Sequence, residues 1–187
     1  MDNKDTYITI TQPSPEVLHK NRNSKFYGYA FPVTSEDEIK TCLDQLKKKH
    51  YQAGHFCYAW QLGMTYDSYR YNDDGEPSNS AGAPIYGQLQ SFDLTNVFVV
   101  VVRYFGGTKL GVGGLIQAYR TTAQQALTAA ERVEKTIDDS FTIQFDYPLL
   151  SKVMRIIRDN SITIVGQKQE LHCEYQLAIR KKKVIGL

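Results

Sequence analysis

Six consecutive apolar residues, Val97 to Val102, constrain this 187-residue chain more than any other stretch. A β-branched run with no polar alternation belongs to a strand covered on both faces. It is far short of the roughly 20 residues a bilayer-spanning helix needs. The reading is therefore a central strand, Asn96 to Tyr104, in a layered fold. The chain continues as Arg103-Tyr104-Phe105-Gly106-Gly107-Thr108-Lys109-Leu110-Gly111-Val112-Gly113-Gly114. Gly106 to Gly114 reads as a glycine loop. Leu115, Ala118, Tyr119, Ala123, Ala126, Leu127 and Ala130 then fall at helical spacing.

Further elements frame this unit. Tyr7 to Ile10 has strand propensity, and Pro13 and Pro15 break it. Ser24 to Val33 reads as a strand. Ser35, with Asp37 and Glu38 behind it, opens a helix by a capping box. Lys47, Lys48 and Lys49 suit that helix's C-terminal end. His55 to Leu62 reads as a strand, and Tyr69 to Tyr71 as a short one. A polar turn spans Asn72 to Ser80, and Pro84 suits the first turn of a short helix. Beyond Lys135 the pattern is β-α-β-β: Ser140 to Phe145, a helix from Pro148 to Asp159, Ile162 to Val165, and Gln169 to Ile179. The fold class is α+β. Its domains are 1–134 and 135–187.

Three cysteines, Cys42, Cys57 and Cys173, have no framework spacing. That argues against a disulfide scaffold and favours a reducing compartment. The first ten residues carry no apolar signal core, so a soluble, cytoplasmic protein away from membranes is expected. The net charge is +2, yet residues 166–187 hold five basic residues against two acidic ones. The run Arg180-Lys181-Lys182-Lys183 supplies the excess. It reads as a solvated end or as a weak attractor of phosphate backbones. A whole-surface basic footprint, expected of a dedicated nucleic-acid binder, is absent.

Four groups carry possible chemistry. The strand–glycine loop–helix junction presents free N–H groups at a positive helix end, with Arg103 and Lys109 adding charge. Gly111, Gly113 and Gly114 would form an anion-binding loop, or the glycines serve close packing alone. The junction is neither a P-loop nor a dinucleotide fingerprint, since Gly-Lys-Ser/Thr is missing and position 116 is Ile. Asp73-Asp74-Gly75-Glu76-Pro77-Ser78 places three carboxylates within four residues, fit for a cation, for acid–base work or for a polar turn. His55 and Cys57 share one strand face, but no zinc spacing accompanies them, nor the remote pair His172-Cys173. Tyr66, Tyr69 and Tyr71 beside Arg70 suit base stacking or packing on a helix.

Three segments together are similar to the IMPACT family and its bacterial members. They are His55-Phe56-Cys57-Tyr58-Ala59-Trp60, Asp73 to Ile85, and Arg103 to Tyr119, in matching order and spacing. The resemblance spans roughly Ser24 to Ala130 and fades beyond. It implies an N-terminal domain like the second domain of ribosomal protein S-five. It also implies a ferredoxin-like C-terminal unit resembling the fifth domain of elongation factor G. Eukaryotic relatives regulate translation, so the expected partners are a ribosome, a translation factor or RNA. The implied groove holds His55, Asp73, Asp74, Gly75, Glu76, Pro77, Ser78, Arg103, Tyr104, Phe105, Gly106, Gly107 and Lys109. No cofactor and no metal are expected. The alternative is an enzyme or sensor that holds a phosphorylated small molecule at the glycine loop.

Three positions depart from the family pattern. Asn79 stands in place of Gly, Ser80 in place of Thr, and Gln117 in place of a basic residue that would support an anion site. A ferredoxin-like unit would also need a further helix and strand after Ile179. The expectation is an exposed apolar sheet face, an unpaired edge, and a homodimer through this incomplete unit.

Overall fold

A computed structural model describes residues 5–181. The chain forms two compact units. Tyr7–Lys135 make the larger, and Thr136 onward, joined by the N-terminal residues through Thr6, make the smaller.

In the larger unit the strands are β1 (Thr6–Ile10), β2 (Val17–Asn21), β3 (Ser24–Pro32), β4 (His55–Leu62), β5 (Ser68–Asn72), β6 (Val97–Tyr104) and β7 (Arg132–Thr136). The helices are α1 (Glu36–Lys49), α2 (Gly82–Ser91) and α3 (Gly111–Ala129). Five strands form one sheet in the order β2-β3-β6-β4-β5, every neighbouring pair antiparallel. β1 and β7 form a separate two-stranded ribbon.

The apolar run is central because both faces of β6 are covered. Val97, Val99 and Val101 join Ile85 and Leu89 of α2 and Leu115, Tyr119, Ala123 and Leu127 of α3. Phe98, Val100 and Val102 join Ile39 and Leu46 of α1, with Phe56 and Trp60 of β4. All six residues of the run are completely buried. Removing this much apolar surface from water is the main force holding the layers together.

Local signals set most of the boundaries. Ser35 caps α1 by accepting from the Glu38 N–H at 3.3 Å, and Lys47–Lys49 occupy its last turn. Two strands escaped the sequence reading. β2 pairs with β3 through a turn at Arg22 and Asn23, whose φ values are 43° and 64°. Hairpin turns of that hand are signalled by Asn-Gly or Asp-Gly, and neither is present. β7 was absorbed into the boundary near Lys135. The glycine loop is shorter than expected. It ends at Leu110, and Gly111, Gly113 and Gly114 belong to the first turn of α3.

In the smaller unit, β8 (Asp138–Phe145), a 3-10 turn (Tyr147–Leu149), α4 (Leu150–Asp159), β9 (Thr163–Gln169) and β10 (Cys173–Arg180) follow in sequence. The antiparallel sheet order is β8-β10-β9. Ile157 of α4 packs on Cys173, Tyr175 and Leu177. Phe141 of β8 and Val165 of β9 keep 40% and 57% of their surface exposed, while β10 between these strands is mostly buried. Arg180 bonds Asp5 at 2.6 Å, which ties the N-terminal residues to this unit. Lys182 and Lys183 lie outside the described residues. No helix among the described residues is long and apolar enough to cross a membrane.

A polar chain, buried at His50 and Tyr29 and exposed at Glu16 and Lys49, lies on the α1 side of the large sheet. His50 Nε2 meets Tyr29 Oη at 2.5 Å, and His50 Nδ1 meets Tyr104 Oη at 2.9 Å. Tyr29 also donates to Glu16, which pairs with Lys49 at 2.7 Å. Burial lowers the His50 pKa, with Lys49 adding to the effect. Bonds to Lys49 and Tyr29 lower that of Glu16. Both folded-state values lie below the unfolded ones, so each group stabilises the protein above its unfolded pKa. Stability should hold above about pH 6.5 and fall as pH drops through the lowered His50 value. Urea midpoints measured across pH 7.5 to 5 test this, and His50→Gln should flatten the slope.

Candidate functional site

Position along β6 builds the site. Residues alternate across a strand, so Arg103 follows Val101 onto the α2–α3 face while Tyr104 turns to the α1 face. Cross-strand register places Phe26 of β3 and His55 of β4 on either side of Arg103. The guanidinium carbon lies 5.5 Å from the Phe26 ring centroid and 5.6 Å from that of Phe105. This clamp, worth up to about 2 kcal/mol where water is excluded, holds the guanidinium in place.

The acidic segment folds around that arginine. Asp74 and Gly75 both adopt positive φ, 41° and 84°, and the Glu76 N–H donates to Asp73 O at 2.9 Å. This Asp-Gly turn aims Glu76 inward. Its Oε1 accepts from Arg103 Nη1 at 2.6 Å and from Tyr119 Oη at 2.7 Å. Only 4% of the Glu76 side chain and 6% of the Arg103 side chain remain exposed. His55 Nδ1 donates to Asp74 O at 2.8 Å, leaving Nε2 3.9 Å from Glu76 Oε1.

The other two carboxylates are structural. Asp73 Oδ1 accepts from Ala81 N at 3.0 Å and Gly82 N at 2.8 Å, and Oδ2 accepts from Asn79 N at 2.9 Å. It caps α2 from nine residues before the helix, because Ala81 at the cap position has no acceptor. Asp74 Oδ2 accepts from Phe56 N at 2.6 Å. Among the described residues no group of three or more His, Cys, Asp or Glu is arranged to hold a metal ion. Cys57 is fully buried and donates its thiol to Asp73 O at 3.0 Å, with Tyr119 Oη at 3.3 Å. Burial drives both the Cys57 thiol and the Tyr119 phenol well above their ordinary pKa values. Each is a hydrogen-bonding group, with no access to a reactive anion near neutral pH.

Above the ion pair opens a cleft of about 370 Å³, lined by Glu76, Pro77, Arg103, Phe105, Lys109, Leu110, Gly111, Val112 and Leu115. The groove expected from sequence therefore divides. Glu76, Pro77, Arg103, Phe105, Lys109 and Gly111 line the cleft. His55, Asp73, Asp74 and Gly75 support it from behind. Ser78 is exposed and away from it, and Gly107 is an exposed turn residue with φ of 85°. Tyr104 belongs to the opposite face, bonded to His50, and leaves the groove. Gly106 is a packing residue: a Cβ there would sit 2.1 Å from the Asn23 carbonyl carbon. Gly113 and Gly114 are helical rather than part of a loop.

Tyr119 and Phe26 complete the site and were missed as such. The sequence pattern places Tyr119 on a helix packed against the sheet and Phe26 on a strand, and marks neither as a polar-site residue. Asn79 has φ of 59°, a left-handed conformation asparagine tolerates nearly as glycine does, which accounts for that departure. The Gln117 amide is bonded to Thr121 and does not line the cleft. Tyr69 and Tyr71 stack on Tyr86 of α2 at 4.6 and 6.0 Å, so the helix-packing alternative holds for them.

The larger unit is thus an α+β domain whose antiparallel sheet is covered on both faces and whose cleft opens over a buried arginine–glutamate pair. The family model for the Impact N-terminal domain matches residues 22–127. The IMPACT family member YvyE of Bacillus subtilis is 32% identical over 180 residues, 95% of this chain and 82% of that protein. YigZ of Escherichia coli is 29% identical over 170 residues, 90% of this chain and 83% of that one. A solved structure described as a hypothetical protein matches with a TM-score of 0.77 at 26% identity, covering 98% of this chain and 89% of its own. The structure of the two-domain translational regulator Yih1 is 30% identical over 64% of this chain and 46% of that one, with a TM-score of 0.39. The chain belongs to the IMPACT family.

Breaking a buried ion pair leaves an uncompensated charge and costs about 3–5 kcal/mol. Arg103→Ala should therefore lose about that much stability in urea unfolding. The double variant Arg103→Met with Glu76→Gln should recover more than half of the loss, since the amide still accepts from Tyr119.

Proposed function

We propose that this protein is a regulatory binding protein of the translation apparatus, contacting a ribosome, a translation factor or RNA. Family membership supports the setting, since the relative Yih1 is described as a translational regulator. The observation that carries binding over catalysis is the occupancy of the site. Every carboxylate of Asp73–Glu76 is engaged by a protein partner, and Cys57 is a buried, protonated thiol. A general acid, base or nucleophile must be free to reach a substrate. Lys109, Phe105 and Val112, by contrast, are exposed on the cleft rim and free to meet a partner.

The larger unit, on this reading, corresponds to the second domain of ribosomal protein S-five. The smaller corresponds to part of a ferredoxin-like domain such as the fifth domain of elongation factor G. The order β8-β10-β9, with α4 between β8 and β9, supports the second correspondence. A homodimer would form by a second copy pairing along β8, an edge strand among the described residues.

Density-gradient sedimentation of cell lysate, with and without RNase, tests the reading. The wild type should migrate with ribosomal particles after a salt wash, and Lys109→Glu should move most of it to the free fractions. Arg103→Ala is unsuitable here because it leaves the buried Glu76 carboxylate without its counter-charge. Wild-type protein found only in the free fractions at every salt concentration counts against a translation contact.

A further inference from the structure

Arg103 carries five N–H donors and, among the described residues, its side chain makes one hydrogen bond, from Nη1 to Glu76. Its Nε is buried with no partner, in a side chain that is 94% buried by virtue of 6% exposure. Unpaired donors of a buried cation are among the least favourable groups a fold can retain. The rings of Phe26 and Phe105 hold the guanidinium, so it does not swing out to find water. The residue lines the cleft, and its Nε is buried without a partner among the described residues.

The same cleft includes the start of α3. That helix has 19 residues, no side-chain cap and no acidic residue in its first turn. The N–H groups of Gly111, Val112 and Gly113 have no intrahelical partner and lie on exposed residues. Gly111 needs glycine for its φ of 75°. Gly113 does not: its φ lies outside the left-handed region, and a Cβ there would meet nothing within 4 Å. Glycine weakens a helix, and the fold gives no reason for it at 113. Close approach of a ligand to the backbone N–H groups does give one. Lys109 stands exposed at the rim with no ion-pair partner among the described residues.

The charges favour a dianion. Arg103, Lys109 and roughly half a positive charge at the helix end outweigh the single Glu76 carboxylate. The remaining walls, Pro77, Phe105, Leu110, Val112 and Leu115, are apolar. At about 370 Å³, the cleft lies in the range of small-molecule sites.

We propose that this cleft binds a small phosphate monoester with an aromatic or apolar body. The phosphate sits between the α3 N-terminus, the free Arg103 donors and Lys109. The body lies along Phe105 and Val112. The event is binding alone and needs no divalent cation, because the neighbouring carboxylates are already engaged. It rests on reading the cleft as a binding site and names the ligand chemistry that would occupy or regulate it.

Titration of the full chain with phenyl phosphate, free of divalent cations and followed by ¹H–¹⁵N NMR, tests this. The Arg103 Nε–H and the amides of Gly111, Val112 and Gly113 should shift together and saturate. Phenyl phosphate should bind about tenfold tighter than phenylacetate or inorganic phosphate, reflecting its second charge and its ring. Lys109→Ala should weaken binding several-fold. Gly113→Asp adds an acid where the helix dipole welcomes one, so it should fold with an unchanged or raised melting temperature and yet lose binding about tenfold or more. No saturable shift up to about 10 mM, a range that covers even weak ligands, overturns the proposal. So does equal binding of phenylacetate, or a folded Gly113→Asp that binds like the wild type. Ribosome association that falls with Lys109→Glu while phenyl phosphate fails to bind would reject this ligand class and leave the translation contact standing.

Discussion

A carboxylate in a protein interior must be satisfied or it must be neutral. Glu76 meets that requirement with two short hydrogen bonds, from Arg103 and from Tyr119. Its partners lie on β6 and α3, while Glu76 itself lies on the turn that leads to α2. One buried charge therefore ties a strand, a helix and a loop to a common point. The Asp74–Gly75 turn is the local device that delivers it there, and Asp73 secures the far end of the segment on α2. The cleft is a consequence of this arrangement. The start of α3 and Arg103 line the same cleft, and Tyr119, two turns into the helix, donates to Glu76.

β6 gives the two faces of the sheet different chemistry. Its six apolar residues divide between two cores, and its last two residues carry polar groups to opposite sides. Arg103 enters the cleft face, and Tyr104 joins His50 and Tyr29 on the α1 face. The His50 chain is closed on itself: each ring nitrogen has a tyrosine partner, and the chain ends at Glu16 and Lys49. The Arg103 side retains unused donors. The two faces thus differ: a satisfied network that runs out to solvent on one, and a buried, unsatisfied site on the other.

Periodicity and capping carried much of the fold into plain view. The apolar run, the stripe from Leu115 to Ala130 and the Ser35 cap each state a local preference that tertiary structure leaves intact. The hairpin at Arg22–Asn23 was hidden because its left-handed turn uses residues that give weak turn signals. The glycines at 111, 113 and 114 read as a loop because helix propensity disfavours them, and only the packing of Leu115 and Tyr119 overrides that. For the site, residue types pointed to the arginine, the acids and the glycines. Which acid meets the arginine is a tertiary fact. Strand alternation alone, applied to adjacent residues, separates Tyr104 from Arg103. The departure at Asn79 lost its force once its φ was known, since asparagine fills that conformation by its own chemistry.

The cleft also costs the protein stability. Glycine at position 113, in the first turn, gives up part of the about 1 kcal/mol it would lose relative to alanine in a helix interior. An uncapped N-terminus forgoes about another 1 kcal/mol that Ser or Asp would supply. The Nε–H of Arg103 is buried without an acceptor. These losses meet at one cleft, whereas at α2, which also lacks a cap of its own and carries Gly87 in open space, Asp73 supplies the missing acceptor. What sets the cleft apart is that its uncapped helix end meets a buried arginine with an unpaired donor and an exposed lysine, the arrangement of a site held ready for an anion.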